Sequence, residues 1–172
     1  GAEWSLSAGV LPRILKGTAF AAARERTRYT LNGVHWSVGG GHLEVGATVG
    51  RRLAMARVET KVQGATNKAK GILPTRAVAL LAQIGERPLD LVLGERSVEA
   101  RTTSADKNGN AEHVLVSRLL EGQFPDYATV IPKGYPSAAE VEATDLLAAF
   151  RRASLLSQES RSVRLQFSKG LL

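Results

Sequence analysis

"GILPTRAVALLAQIGERPLDLVL" (residues 71–93) is the stretch on which the fold turns. Its first residues read as the end of a strand, and Thr75 stands where a helix N-cap is wanted. "RAVALLAQI" has helical spacing, Gly85 reads as the residue past its end, and Pro88 bars continuation. "LDLVLGE" predicts a strand. Two more strands follow, "RSVEARTTSAD" and "AEHVLVSRLLEG", joined by "KNGN", a strong hairpin turn.

The same order lies upstream. "EWSLS" alternates, and Ser7 is placed to cap a helix over about residues 9–22. On that helix Leu11, Ile14, Leu15, Thr18 and Ala22 share one face, with Arg13 and Lys16 opposite. Phe20 falls on the basic side, which predicts a bend near Gly17–Phe20 that turns Phe20 inward. "TLNGVHWSV" and "HLEVGATV", separated by "GGG", predict a hairpin, and "RRLAMARVETKV" a third strand. "QGATNKAKG" reads as a polar, basic loop. The two helix signals lie about 67 residues apart, with Leu6 and Ser7 matching Leu73 and Pro74. The chain therefore reads as an internal repeat of strand, helix, strand, strand, strand. Each unit has one helix to cover a four-stranded antiparallel surface, so two units bury two helices against two sheets, an α+β arrangement. A third unit starts after the Pro-rich "EGQFPDYATVIPKGYP" (121–136), a linker by composition. It has a strand "AEVEAT", a cap at Thr144, a helix "DLLAAFRRASLLS" and a strand "RSVRLQF", then stops. Without its mate it is expected to be poorly covered, and its amides from about residue 137 onward are expected to be less protected.

Composition narrows the function. Of 172 residues 44% are hydrophobic, enough for a core, and no run approaches the roughly 20 apolar residues that span a bilayer. No basic-then-apolar leader is visible. No cysteine is present, which excludes disulfides, thiolate metal sites and cysteine nucleophiles and fits a reducing, cytoplasmic setting. Both ends look cut, so a piece of a longer protein is expected. The net charge of +7 is clustered: Arg13, Lys16, Arg24, Arg26 and Arg28 face only Glu25 over positions 10–28, and positions 51–70 hold six cations against Glu59. Such clustering suggests a polyanion partner.

Catalytic patterns are not found. His35, His42 and His113 have no metal-ligand spacing and read as packing or surface groups. "GATVGRR" lacks the ending of a phosphate loop, "VGGG" sits in a hairpin turn and opens no helix, and no nucleophile elbow appears. No metal, cofactor or catalytic residue is expected. Binding remains: Arg13 and Lys16, Arg151 and Arg152, and the loop "ARERTRY" with Tyr29 could each approach phosphates.

"RYTLNGV", "GATVGRRLAMA", "SRLLEGQFPDYATVIPK" and "LLAAFRRASLLSQESRSVRL" together resemble the bacterial sliding-clamp family, the beta subunit of DNA polymerase III. The resemblance covers essentially the whole chain. It implies a complete middle domain over 1–123, a linker over 124–136 and the start of the last domain over 137–172. Family members are non-catalytic processivity factors. Two subunits close head to tail into a homodimeric ring around duplex DNA, with helices lining the hole and no sequence readout. The resemblance assigns DNA contacts to Arg13, Lys16, Arg24, Arg28, Tyr29, Arg151 and Arg152. A groove between the middle and last domains takes short hydrophobic motifs from polymerases, the clamp loader and repair proteins. Motif by motif it implicates Leu31; Thr48, Gly50, Arg51, Arg52 and Leu53; and Pro125, Thr129 and Val130. The family commonly reads "ATDGHRL" where Val49 and Arg51 stand here, and a basic residue is frequent at Thr129, so the rim charge differs. On this reading the chain itself does not encircle DNA. The alternative is a stand-alone peptide-binding module without a DNA role.

Overall fold

Two helices each carry the chain from one sheet to the other. In the computed structural model, which describes residues 1–23, 32–63, 68–106, 109–129, 131–136, 138–156, 162–166 and 168, β1 (Ala2–Leu6) leads into α1 (Val10–Lys16). There follow β2 (Gly33–Gly39), β3 (His42–Thr48), β4 (Leu53–Glu59) and β5 (Val62–Gln63). Next come β6 (Ala69–Pro74), α2 (Thr75–Ile84), β7 (Leu89–Leu93), β8 (Ser97–Asp106) and β9 (Gly109–Arg118), and finally α3 (Ala143–Leu156). The chain divides into two units, Gly1–Ala128 and Thr129–Leu172.

In the first unit the strands form a five-stranded sheet, β5-β1-β7-β8-β9, and a four-stranded sheet, β4-β3-β2-β6. All the pairings are antiparallel. The expectation of one four-stranded sheet per repeat is corrected: the first strands are exchanged. β1 of the first repeat pairs with β7 of the second, Trp4 opposite Leu91, while β6 of the second pairs with β2 of the first, Trp36 opposite Gly71. The exchange ties both repeats into one core.

That core follows from alternation. β1 and β7 bury every second residue, Ala2, Trp4 and Leu6 in one and Leu89, Leu91 and Leu93 in the other. From the facing sheet come Val34, Trp36, Val38, Leu43, Val45 and Ala47, and all join one cluster with the helices. Trp4 and Trp36 meet at its centre, ring centroids 6.3 Å apart and tilted by 58°, a geometry in which edge meets face. The five residues predicted for the inner face of the first helix, Leu11, Ile14, Leu15, Thr18 and Ala22, are all buried. Thr18 is satisfied by donating its hydroxyl to the Ile14 carbonyl at 2.8 Å.

Several local expectations are corrected. α1 ends at Lys16 with Gly17 as its cap, and a short 3₁₀ turn over Ala19–Ala21 follows. That turn brings Ala21 and Ala22 inward and leaves Phe20 60% exposed, so Phe20 does not turn in. Gly9, at φ 74°, is the N-cap of α1 in place of Ser7, which only accepts a backbone bond from Val10. Pro74 precedes α2 as its N-cap, so Thr75 is already helical and makes no side-chain cap. The expected loop at 63–71 contains β5 and the start of β6, because the edges of β1 and β2 offer it partners; residues 64–67 lie outside the described residues. The turn Gly40–Gly41 has both φ values positive, as a two-residue hairpin requires. The β8–β9 hairpin forms as predicted, and residues 107 and 108 of its turn lie outside the described residues.

In the second unit the predicted strand at 139–144 is absent: 138–142 is irregular and α3 begins at Ala143, so Thr144 is helical and is not the cap. Residues 162–166 of the predicted strand at 161–167 are irregular as well. A strand needs a neighbour for its backbone groups, and alternation in sequence does not supply one. None of the described side chains of α3 is buried, and Leu147 and Leu155 are largely exposed, in line with the expected poor cover.

Candidate functional site

After β9 the chain crosses the outer face of the four-stranded sheet. Alternation decides what it meets there. Val34 and Trp36 face the core, so His35 faces out, and with Leu43 and Val45 inward Glu44 also faces out. Register places Glu44 opposite Arg57, and His35 opposite Gly46 on one side and Ile72 on the other. The crossing segment is bonded at its start, Leu119 N–H to the Arg96 carbonyl at 2.9 Å and Leu120 N–H to the Ile72 carbonyl at 2.8 Å. Gly33 makes room for it. A Cβ there would lie 2.4 Å from Ile72 Cγ2, 2.7 Å from the Leu73 carbonyl oxygen and 2.8 Å from Leu120 Cδ1.

Further along, Phe124 stacks on His35, centroids 4.8 Å apart and planes 13° from parallel, and Tyr127 packs edge-on against Phe124. The Tyr127 hydroxyl donates to Glu44 Oε1. The other carboxylate oxygen, Oε2, accepts from Arg57 Nη2 at 2.7 Å and Nε at 3.3 Å. Burial raises the Glu44 pKa, but the bonds from Tyr127 and Arg57 outweigh it and hold the carboxyl below its ordinary value. Burial, and then the Glu44 carboxylate, push Tyr127 up to about 12. Burial pushes His35 down, and its Nδ1 is buried without a hydrogen-bond partner. His35 is thus a packing group, as the sequence suggested. A groove of about 910 Å³ opens beside this segment, lined by Lys70, Arg96, Arg118, Glu95 and Glu121 with Phe124 and Pro125. Of the described residues predicted for the peptide site, Pro125 lines it and the Thr48–Leu53 stretch does not.

The predicted peptide-site residues fall into three groups. Thr48, Gly50, Arg51, Arg52 and Leu53 form the β3–β4 turn. Thr48 Oγ1 donates to the Arg52 carbonyl at 2.8 Å and accepts from Gly50 N–H at 3.3 Å. Gly50 sits at φ 85°, a left-handed value that glycine takes without strain. Arg51 and Arg52 are exposed and Leu53 is half-buried. Thr48 lies on the outer face of β3, four residues from Glu44, roughly 13 Å along the strand. Pro125 is in the crossing segment, on the wall of the groove. Thr129 ends the 3₁₀ turn Tyr127–Thr129 and belongs to the second unit. Leu31 and Val130 lie outside the described residues. Sequence reading missed Glu44, Arg57, His35 and Phe124 as the groups that fasten Pro125. Their only local signal is polar residues at outward positions of alternating strands.

Of the predicted phosphate contacts, Arg13 and Lys16 are exposed in the last turn of α1, where the helix dipole favours cations. Arg151 and Arg152 are exposed on α3 in the second unit. Arg24, Arg28 and Tyr29 lie outside the described residues. Arg76 was missed. It is exposed in the first turn of α2, where the dipole disfavours a cation. Neither α1 nor α2 contains a carboxylate, so Arg13, Lys16 and Arg76 make the outer charge of the helix layer positive. The outer face of the five-stranded sheet instead carries Glu3, Asp90, Glu99 and Glu112 with Arg101 and Arg118. There Arg101 bonds Glu99 at 2.5 Å and Glu112 at 3.2 Å. Among the described residues no His/Asp/Glu group could hold a metal ion, and no helix is long and apolar enough to cross a membrane.

Comparison with known proteins agrees with this architecture. A family model described as the DNA polymerase III beta subunit, central domain, matches residues 5–126. The beta sliding clamp of Pseudomonas aeruginosa is 34% identical over 99% of this chain and 45% of its own length. That of Escherichia coli K12 is 30% identical over the same shares. The crystal structure of the P. aeruginosa sliding clamp superposes with a TM-score of 0.80 at 30% identity, covering 98% of this chain and 45% of that one. The chain thus spans about 45% of the length of the curated relatives it matches. The helices that link two exchanged antiparallel sheets, the "LNG" glycine under Leu120 and the "FPDY" segment across the outer face are therefore features of a member of the DNA polymerase III beta subunit family, to which this chain belongs.

Proposed function

We propose that the protein carrying this chain is a sliding clamp: a non-catalytic ring that encircles duplex DNA and tethers the replicative polymerase. The observation that carries the reading is the one-signed helix layer, Arg13, Lys16 and Arg76 without a carboxylate, opposed to a largely acidic outer sheet face. Weak, sequence-independent phosphate contacts suit a ring that holds by topology, since tight ones would hinder sliding. Residues 1–123 correspond on this reading to the middle domain, 124–136 to a linker and 137–172 to the start of the last domain. Arg24, Arg28, Tyr29, Arg151 and Arg152 add DNA contacts. The intact protein is a head-to-tail homodimer in the cytoplasm. Leu31, Thr48, Gly50, Arg51, Arg52, Leu53, Pro125, Thr129 and Val130 contribute one side of a groove for short hydrophobic motifs of polymerases, the clamp loader and repair proteins. With Val49 and Arg51 in the turn, the rim favours motifs that carry a carboxylate.

Charge reversal tests the DNA side. In the protein encoded by the gene that holds this chain, Arg13→Glu, Lys16→Glu and Arg76→Glu together should lower the rate of loading onto nicked circular DNA about tenfold and flatten its salt dependence. Arg101→Glu, on the sheet face, should leave both unchanged. An unchanged loading rate in the triple variant would favour a peptide-binding module instead.

A further inference from the structure

Of the residues that fasten the crossing segment, His35, Glu44 and Arg57 lie outside the family motifs from which the peptide groove was read, while Phe124 and Tyr127 lie within one. Pro125 lies between two anchors, Phe124 on His35 and Tyr127 on Glu44. Both anchors are on the outer face of the sheet whose β3–β4 turn carries Thr48 to Leu53. Glu44 is shared: one oxygen holds Tyr127, the other holds Arg57. The Arg57 side chain is 63% exposed while that of Glu44 is 14% exposed, so the carboxylate is the covered, central member. We propose that Glu44, Tyr127 and Arg57, with Phe124 on His35, form a clasp that sets the distance between Pro125 and the Thr48–Leu53 turn, making Glu44 and Tyr127 positioning residues for the groove. This deepens the peptide-groove reading and rests on it.

The physical reason is geometric. Leu120 N–H bonds the Ile72 carbonyl, and from Phe124 to Tyr127 the segment meets the sheet through its side chains. A hydrogen bond to a charged acceptor is stronger than a neutral one, and stacking fixes ring position within the plane of the sheet. Charges bearing on the clasp come from every neighbouring element. Arg57 comes from β4, His42 from β3, Lys70 from β6 beside His35, and Asp126 from the segment itself beside Tyr127. Releasing one anchor frees Pro125 without opening the core beneath.

The test uses Tyr127→Phe, which removes only a hydroxyl, and Glu44→Gln, which keeps shape but removes charge. Two readouts apply to the protein encoded by the gene that holds this chain. In amide exchange each variant should speed exchange of the hydrogen-bonded Leu119, Leu120 and Ala128 amides about tenfold and leave residues 34–38 and 43–47 unchanged. The double variant should be no faster than either single, because both remove one interaction. In anisotropy titrations with a fluorescein-labelled pentapeptide rich in leucine and phenylalanine, each variant should bind about three- to tenfold more weakly, and Arg57→Lys should retain most of the affinity. Unchanged exchange in the singles, or multiplicative effects in the double, would overturn the clasp. Faster exchange with unchanged peptide affinity would overturn its positioning role. If the unaltered protein does not bind the peptide, the groove reading fails and the positioning role with it, while exchange still decides whether the clasp holds the segment.

Discussion

Glu44 gathers the Arg57 guanidinium and the Tyr127 hydroxyl onto one carboxylate at an outward position of one strand, and its titration sets a pH window. Its folded pKa is depressed, so its contribution is present above the ordinary value of 4.5 and fades as pH falls through the lowered one. His35 is also depressed, so its share is full above 6.5 and is lost as pH falls through its lowered pKa. Tyr127 is raised, so its share is full below 10.0 and is lost as pH rises through about 12. Protection of the Leu119, Leu120 and Ala128 amides, corrected for intrinsic exchange, should therefore be greatest between pH 6.5 and 10 and fall on both sides. A second single-residue test is Gly33→Ala. The new methyl meets the Leu73 carbonyl, which cannot move without breaking the β2–β6 pairing. A loss of about 1–3 kcal/mol in urea unfolding is expected. The motif "LNG" made Gly33 visible in the sequence, and its reason lies in Leu120, far along the chain. Glu44 and Tyr127 were invisible as a pair, because a bond across 83 positions leaves no local pattern.

At the scale of elements, periodicity revealed which faces are buried and failed to reveal which elements are neighbours. The alternation of β1 and β7 and the inner face of α1 were legible residue by residue. The exchange of β1 and β6 between sheets was not, since alternation is the same whichever strand lies alongside. The strands expected at 139–144 and 161–167 failed for the complementary reason: their residues alternate, but a strand also needs an edge to pair with. Phe20 was misplaced because a 3₁₀ turn rotates side chains by a different step from an α-helix. Two expectations follow. Trp36→Ala should cost about 3–5 kcal/mol, and because Trp4 and Trp36 are the two tryptophans of the chain, intrinsic fluorescence reads this core directly. Amides of α3 should exchange faster than those of β2, β3 and β7, in keeping with its lack of a buried face. Equal protection would mean that a second copy or another segment covers that helix.

In the first unit α1 and α2 carry cations alone, whereas the outside of the five-stranded sheet carries mostly carboxylates. The proposed ring around DNA would use this separation. If the proposed function is right, the intact protein holds DNA by encircling it. The most direct measurement loads the protein encoded by the gene that holds this chain onto nicked circular duplex, isolates the complex at moderate salt, and cuts the circle once. The protein should stay on the circle and be lost on linearisation. Equal retention before and after the cut, or equal loss from both forms, would rule out encirclement.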